Sequence, residues 1–191
     1  MNPKRFARSE RGFTLVELMV VVVIVGILGT IGVSVFRQQS FGSKSTEAYS
    51  MIQSIRSAEE RWKAENLRYL NVSTPGQWYP AKPNGPEKRA FFRAGTCVPD
   101  PNPSDDCRWK LLNPTVSGPV QFGYLVNAGG PQDAVTKLET EATPSGGLSF
   151  PASVDHWYVI QAIADADGDG VYAKFIASSF RPDVASDHEG E

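Results

Sequence analysis

Arg11-Gly12-Phe13-Thr14-Leu15-Val16-Glu17 opens an apolar run that continues to Phe36. Four basic residues, Lys4, Arg5, Arg8 and Arg11, stand before it, and one acid, Glu17, stands inside it. A helix over residues 13–36 would be roughly 36 Å long at ~1.5 Å per residue, enough to cross a bilayer core of ~30 Å. A carboxylate within such a segment is costly, which marks Glu17 as a functional position by default.

Residues 1–12 hold four basic residues and one acid, Glu10, for a charge of +3; the other 15 basic and 20 acidic residues sum to −5. A mildly acidic body gives no electrostatic case for binding nucleic acid through bulk charge. A secretory signal peptide fits the cationic start and the apolar core. An ordinary signal, however, ends in a small-residue cleavage site after the apolar run. Here the run passes through Gly29-Thr30-Ile31-Gly32 into an amphipathic helix. A plain membrane anchor accounts for the length and for basic residues staying inside, but leaves Glu17 unexplained.

The string RGFTLVELMVVVVIVGIL, residues 11–28, resembles the N-terminus of the type IV pilin family, which takes in major pilins, minor pilins and the pseudopilins of type II secretion. The resemblance is close over residues 11–36, and its general plan extends along the chain. It implies that a prepilin peptidase cuts between Gly12 and Phe13 and that the new Phe13 amine is N-methylated. The apolar helix then stays in the mature chain, which polymerises with other pilin subunits through inner-membrane assembly machinery. The precursor would be a single-pass inner-membrane protein with a periplasmic C-terminal domain, and the product a periplasmic or cell-surface filament. Gly12 lets an active site approach the backbone closely. After cleavage, Phe13 presents a cation and Glu17 an anion one turn further in. The family implies that Glu17 of one subunit meets the Phe13 amine of its neighbour and sets the stagger. An opposite charge favours the ionised carboxylate while desolvation opposes it, and buried pairs of this kind fix register more than they add stability. Many pilins carry a proline eight residues beyond the glycine that corresponds to Gly26, and family filaments often show a melted helix between the two; here the later position is Ser34. Gly26, Gly29 and Gly32 instead weaken the helix by ~1 kcal/mol each relative to Ala and let helices approach closely.

The helical pattern continues past Lys44. Ala48, Met51, Ile52, Ile55, Ala58 and Trp62 recur at steps of three or four, one apolar stripe. Glu59 and Lys63 are spaced for an i,i+4 pair. Helix is expected from about residue 13 to 66, apolar all round in its first half and amphipathic in its second. Residues 68–119 are rich in Pro, Gly and Asn and read as irregular. In this stretch Lys82, Lys88, Arg89 and Arg93 mix with Trp78, Tyr79, Phe91 and Phe92, and the favoured reading has the aromatics covering the core and the basic residues facing water.

Cys97 and Cys107 bracket a nine-residue loop. The membrane segment upstream puts this loop outside the cytoplasm, where a disulfide persists. Closing so small a loop stabilises by ~2–3 kcal/mol in the chain-entropy model. A metal pair is disfavoured, since His156 and His188 are the only histidines and no cysteine cluster exists.

Strands are expected at residues 120–127, 157–164 and 171–178, the last two as a hairpin, with a short strand or loop at 134–139. The polar tail, residues 181–191, is expected to fray. The hairpin turn, Asp165-Ala166-Asp167-Gly168-Asp169-Gly170, has carboxylates at alternate positions, as in the first half of an EF-hand calcium loop. The glutamate such a loop needs is absent, since that position is Ile176, and the flanks read as strands. Calcium at Asp165, Asp167 and Asp169 therefore competes with a plain Asp-Gly turn.

The expected fold class is α+β, a long N-terminal helix packed on a small antiparallel sheet. Its divisions are a leader (1–12), an apolar assembly helix (13–36), an amphipathic half-helix (37–67), an irregular region (68–119), the sheet (120–180) and a tail (181–191). No nucleophile–base constellation and no phosphate loop appear, so no enzymatic role is assigned. Three functions stay open: a type IV pilus subunit, a pseudopilin of a type II secretion system, and a membrane-anchored periplasmic binding module whose aromatic loop takes a ligand.

Overall fold

Helix α1, Leu15–Asn66, is one unbroken run of 52 residues. The computed structural model describes residues 12–135, 138–145 and 148–189, and the side chains among them apart from those of residues 33–43. Residues 1–11 of the leader and the last two tail residues lie outside the described residues. The chain divides into two compact units, Met1–Ser40 and Phe41–Glu191. In the first, the helical backbone continues without interruption across Gly26, Gly29, Gly32 and Ser34.

In the second unit, Ala48, Met51, Ile52, Ile55 and Ala58 are buried against a four-stranded antiparallel sheet, with Trp62 half-buried beside them. The strands are β1 (Gly123–Gly129), β2 (Trp157–Ala164), β3 (Ala173–Ser178) and β4 (Arg181–Asp187), side by side in chain order. Strand side chains alternate between faces. Tyr158, Ile160, Ala162 and Ala164 of β2 therefore join α1 in the main core, and Trp157, Val159, Gln161 and Ile163 point the other way. The second face is also buried: Leu125 and Ile163 pack there with Trp78 and Ala142. Gln161, fully buried, holds the covering segment by two bonds. Its Oε1 accepts the Glu139 N–H at 2.9 Å and its Nε2 donates to the Glu139 carbonyl at 3.0 Å.

Four expectations need correction. First, the region expected to be irregular contains helix α2, Asp105–Leu112. Its acids Asp105 and Asp106 sit in the first turn and Lys110 in the last, the favourable sense for the helix dipole. Trp109 stacks on Tyr79 at 5.2 Å and meets Phe91 edge-on at 5.2 Å. Arg61 Nη2 of α1 donates to the carbonyls of Leu112 and Asn113 at 2.9 and 3.0 Å, covering the end of α2. The Cys97–Cys107 disulfide ties this helix to the loop before it. Second, the tail is not frayed over residues 181–187 but forms β4. Arg56 of α1 holds it, donating to the carbonyls of Pro182, Arg181 and Asp183 at 2.6, 3.2 and 3.1 Å. Pro182, which lacks an N–H, is tolerated because β4 is an edge strand.

Third, the sheet elements shift. Strand β1 begins at Gly123, and Val120 makes only an isolated bridge to Arg89. β3 begins at Ala173, two residues later than expected. Residues 134, 135, 138 and 139 form no strand, and residues 136–137 lie outside the described residues. Fourth, Glu59 does not pair with Lys63. Lys63 bonds Asp155 at 3.0 Å, and Glu59 turns into the core, where it accepts the Leu70 N–H at 2.9 Å. Burial of the stripe Ala48–Ala58 turns Glu59 inward with it.

Candidate functional site

Gly12, Phe13 and Thr14 lead directly into the first turn of α1. Thr14 Oγ1 accepts the Glu17 N–H at 3.2 Å, and the Leu18 N–H reaches the Thr14 carbonyl at 3.2 Å. The sequence Thr-x-x-Glu at 14–17 thus starts the helix as half of a capping box, a spacing signal that the sequence reading passed over. Glu17 sits in the turn where an acid suits the dipole. Phe13, Leu15 and Val16 are 79, 79 and 70% exposed, and every large apolar residue from Leu18 to Ile31 is at least half exposed. Leu15–Gly32 is long and apolar enough to cross a membrane. An apolar surface on all sides of one helix calls for lipid or other helices as its solvent.

The turn between β2 and β3 brings Asp165, Asp167 and Asp169 together, with one carboxylate oxygen from each inside a span of 4.8 Å. Asp165 is buried, and its two oxygens accept the N–H groups of Gly168 and Gly170 at 2.7 and 3.3 Å. Asp167 accepts from the Asp169 N–H at 3.2 Å and Asp169 from the Val171 N–H at 2.7 Å. Gly168 (φ 83°) and Gly170 (φ 89°) adopt the left-handed conformation that glycine tolerates. These bonds shape the turn and leave lone pairs on all three carboxylates. Calcium–oxygen distances of ~2.3–2.6 Å place oxygens on one ion up to ~5 Å apart, so the donor set fits a hard divalent cation. Ile176, at the position where an EF-hand needs glutamate, is buried on β3.

The aromatic-rich loop behaves as expected. Trp78, Tyr79 and Phe91 are buried, while Lys82 and Lys88 face water in ion pairs with Glu141 (2.6 Å) and Glu47 (2.7 Å). A cleft of about 370 Å³ beside α2 is lined by Gln77, Tyr79, Arg93, Asp106 and Arg108 among others. Its cations are taken up locally: Arg93 lies 3.7 Å from Asp106, and Arg108 bonds Asp105. Sequence reading also missed Gln161 and the burial of Glu59, polar residues on faces that are otherwise apolar.

Residues 7–33 match the family model described as the prokaryotic N-terminal methylation motif. The chain is 34% identical over 97 residues to the type IV major pilin protein PilA of Myxococcus xanthus, a match covering 51% of this chain and 44% of that one. It is 30% identical over 151 residues to the type II secretion system core protein G of Pseudomonas aeruginosa, covering 78% of this chain and 96% of that one. A fimbrial protein of P. aeruginosa is 32% identical over 68 residues, 36% of this chain and 44% of its own. The chain thus spans under half of the pilus proteins and nearly all of core protein G. No solved structure matches it.

Proposed function

The chain belongs to the type IV pilin-like family, pilins and pseudopilins together, as a structural subunit, and from that premise we propose that it is a component of a type IV pilus. A prepilin peptidase cuts between Gly12 and Phe13, and the Phe13 amine is methylated. The precursor waits in the inner membrane with Phe41–Glu191 in the periplasm, and assembly machinery feeds it into a filament of pilin subunits. The observation that carries this reading is the bare apolar helix, open on all sides, with one acid in its first turn. In a helix bundle, the bundle replaces lipid around residues 15–32. Glu17 of one copy takes the Phe13 amine of the next, and that contact sets the rise between them. The second reading is a pseudopilin of type II secretion, favoured by the match over 96% of the P. aeruginosa core protein G. Deletion separates the two: loss of surface filaments with secretion intact fits a pilus, and the reverse fits secretion.

Intact-mass measurement of the subunit from isolated membranes tests the shared premise. The expected chain begins at Phe13 and is one methyl group heavier than its sequence. A chain that still began at Met1 would leave a membrane-anchored binding module, the reading from a different class.

The acidic turn joins this reading as a calcium site in the unit Phe41–Glu191. A cation there relieves repulsion among three carboxylates and ties β2 to β3. Millimolar calcium is therefore expected to raise the melting temperature of the wild-type chain by several degrees and to leave Asp167→Ala unmoved. A wild-type chain indifferent to calcium removes the site.

A further inference from the structure

Glu59 is fully buried on the core face of α1. Its Oε2 accepts the Leu70 N–H at 2.9 Å, and its Oε1 has no hydrogen-bond partner among the described residues. The charged and titratable groups around it are committed elsewhere or have the wrong sign. On its own helix, Arg56 turns Nη1 and Nη2 to the backbone carbonyls of β4, and Lys63 is bonded to Asp155 from the segment before β2. Glu60, the next residue, is a like charge that takes the Tyr69 hydroxyl at 2.9 Å. Tyr69, from the segment after the helix, stands edge-on to Tyr158 of β2 at 4.7 Å. Burial raises the pKa of both tyrosines, keeping them neutral. An ionised carboxylate inside a core, with one backbone N–H and no cation, is among the costliest groups a fold can hold, and such a group neutralises instead.

We propose that Glu59 is a proton-binding site in the core, filled in the folded chain at neutral pH, whose emptying loosens the junction between the end of α1 and the outer edge of β1. The junction is specific. Leu70, which Glu59 holds, belongs to the segment that covers β1: Ser73 exchanges bonds with Val126 at 3.0 Å in each direction, and Asn71 accepts the Ala128 N–H at 3.3 Å. The chain enters that segment through Leu67 in the left-handed conformation (φ 59°), so the Glu59–Leu70 bond closes the reversal. Burial lifts the carboxyl from its ordinary 4.5 to about 8, against the pull of the Leu70 N–H and with a small addition from Glu60. Between those two values the folded chain holds a proton that the unfolded chain has lost. Stability from this group therefore falls as pH rises, reaches its low plateau above about 8, and is restored on acidification towards 4.5.

The test compares the full chain with Glu59→Gln, a neutral isostere, by denaturant unfolding across pH 5.5 to 7.5. The unfolding constant of the wild type is expected to rise about tenfold per pH unit relative to the variant, about a hundredfold over the range. Glu60→Gln, which removes the neighbouring exposed carboxylate, is expected to keep the wild-type slope. Parallel curves for wild type and Glu59→Gln would overturn the proposal. Should the variant fold poorly, infrared difference spectra of the wild type between pH 6 and 9 decide. A carboxylic-acid carbonyl band that bleaches on raising the pH supports a bound proton, and a featureless difference overturns it.

Discussion

Glu17→Ala is expected to leave the chain folded and inserted in the membrane while removing it from filaments. Alanine is the best helix former, so the first turn of α1 survives. The Thr14 Oγ1 cap bonds the backbone N–H of residue 17, which the substitution keeps. No contact within Phe41–Glu191 depends on the residue. On the proposed reading, what is lost lies between copies: a Phe13 amine that would enter a helix bundle without its counter-charge. Removing one member of a buried pair costs ~3–5 kcal/mol. Since ~1.4 kcal/mol is a factor of ten, incorporation should fall at least about a hundredfold. Shearing filaments from cells and comparing their subunit content with the membrane fraction measures this. Glu17→Asp, with the charge kept on a shorter stem, should incorporate at an intermediate level, separating charge from reach. Ordinary incorporation of Glu17→Ala would remove the ion pair as the device that sets register.

How much of this was legible in the sequence depends on how each residue's environment is encoded. The helix was readable because two signals agree over fifty residues, an apolar run and then a stripe at steps of three and four. Strand β2 was readable because eight buried residues, Trp157–Ala164, run without a polar break except Gln161. Gln161 itself was opaque: its partner is the backbone of residue 139, and backbone positions leave no trace in composition. Helix α2 was hidden for a related reason. Eight residues are too few to announce a helix, and its stability comes from Trp109 in an aromatic cluster, the disulfide and Arg61 at its end. Strand β4 was hidden by its own surface, Arg181, Pro182 and Asp183, whose pairing is decided by β3 and by Arg56 some 125 residues away. Of the candidate sites, the residue types at Gly12, Phe13 and Glu17 and in the Asp turn were legible because each is defined by short-range spacing. Glu59 was misread by the same logic, since an i,i+4 rule supposes that both residues face water.

Gly129→Ala is expected to be among the most destabilising single-methyl changes in Phe41–Glu191. Gly129 and Trp157 are direct partners across the β1–β2 ladder. A Cβ on residue 129 would lie 2.4 Å from Trp157 Cζ2 and 2.6 Å from Cε2, inside the ring's own volume. The ring has little room to yield. Its Nε1 donates to the Asp133 carbonyl at 3.1 Å, and it stacks on Phe180 with centroids 6.3 Å apart. Overpacking of this kind costs ~1–3 kcal/mol, and at ~2–4 °C per kcal/mol for a chain of this size the melting temperature should fall by about 2–12 °C. Near-ultraviolet circular dichroism of the detergent-solubilised full chain reports the loss. Gly130→Ala is the control, because its added methyl would meet only the side-chain oxygen of Asp133 at 3.3 Å. In the double variant Gly129→Ala, Trp157→Leu, the clash is gone, so its cost should be smaller than the sum of the two single costs. Additive costs would mean that the ring and the backbone opposite do not press on each other. The physical point is general to paired strands: a bare glycine in one strand is shielded from water by the aromatic ring that faces it, and that arrangement makes the glycine irreplaceable while the ring stays.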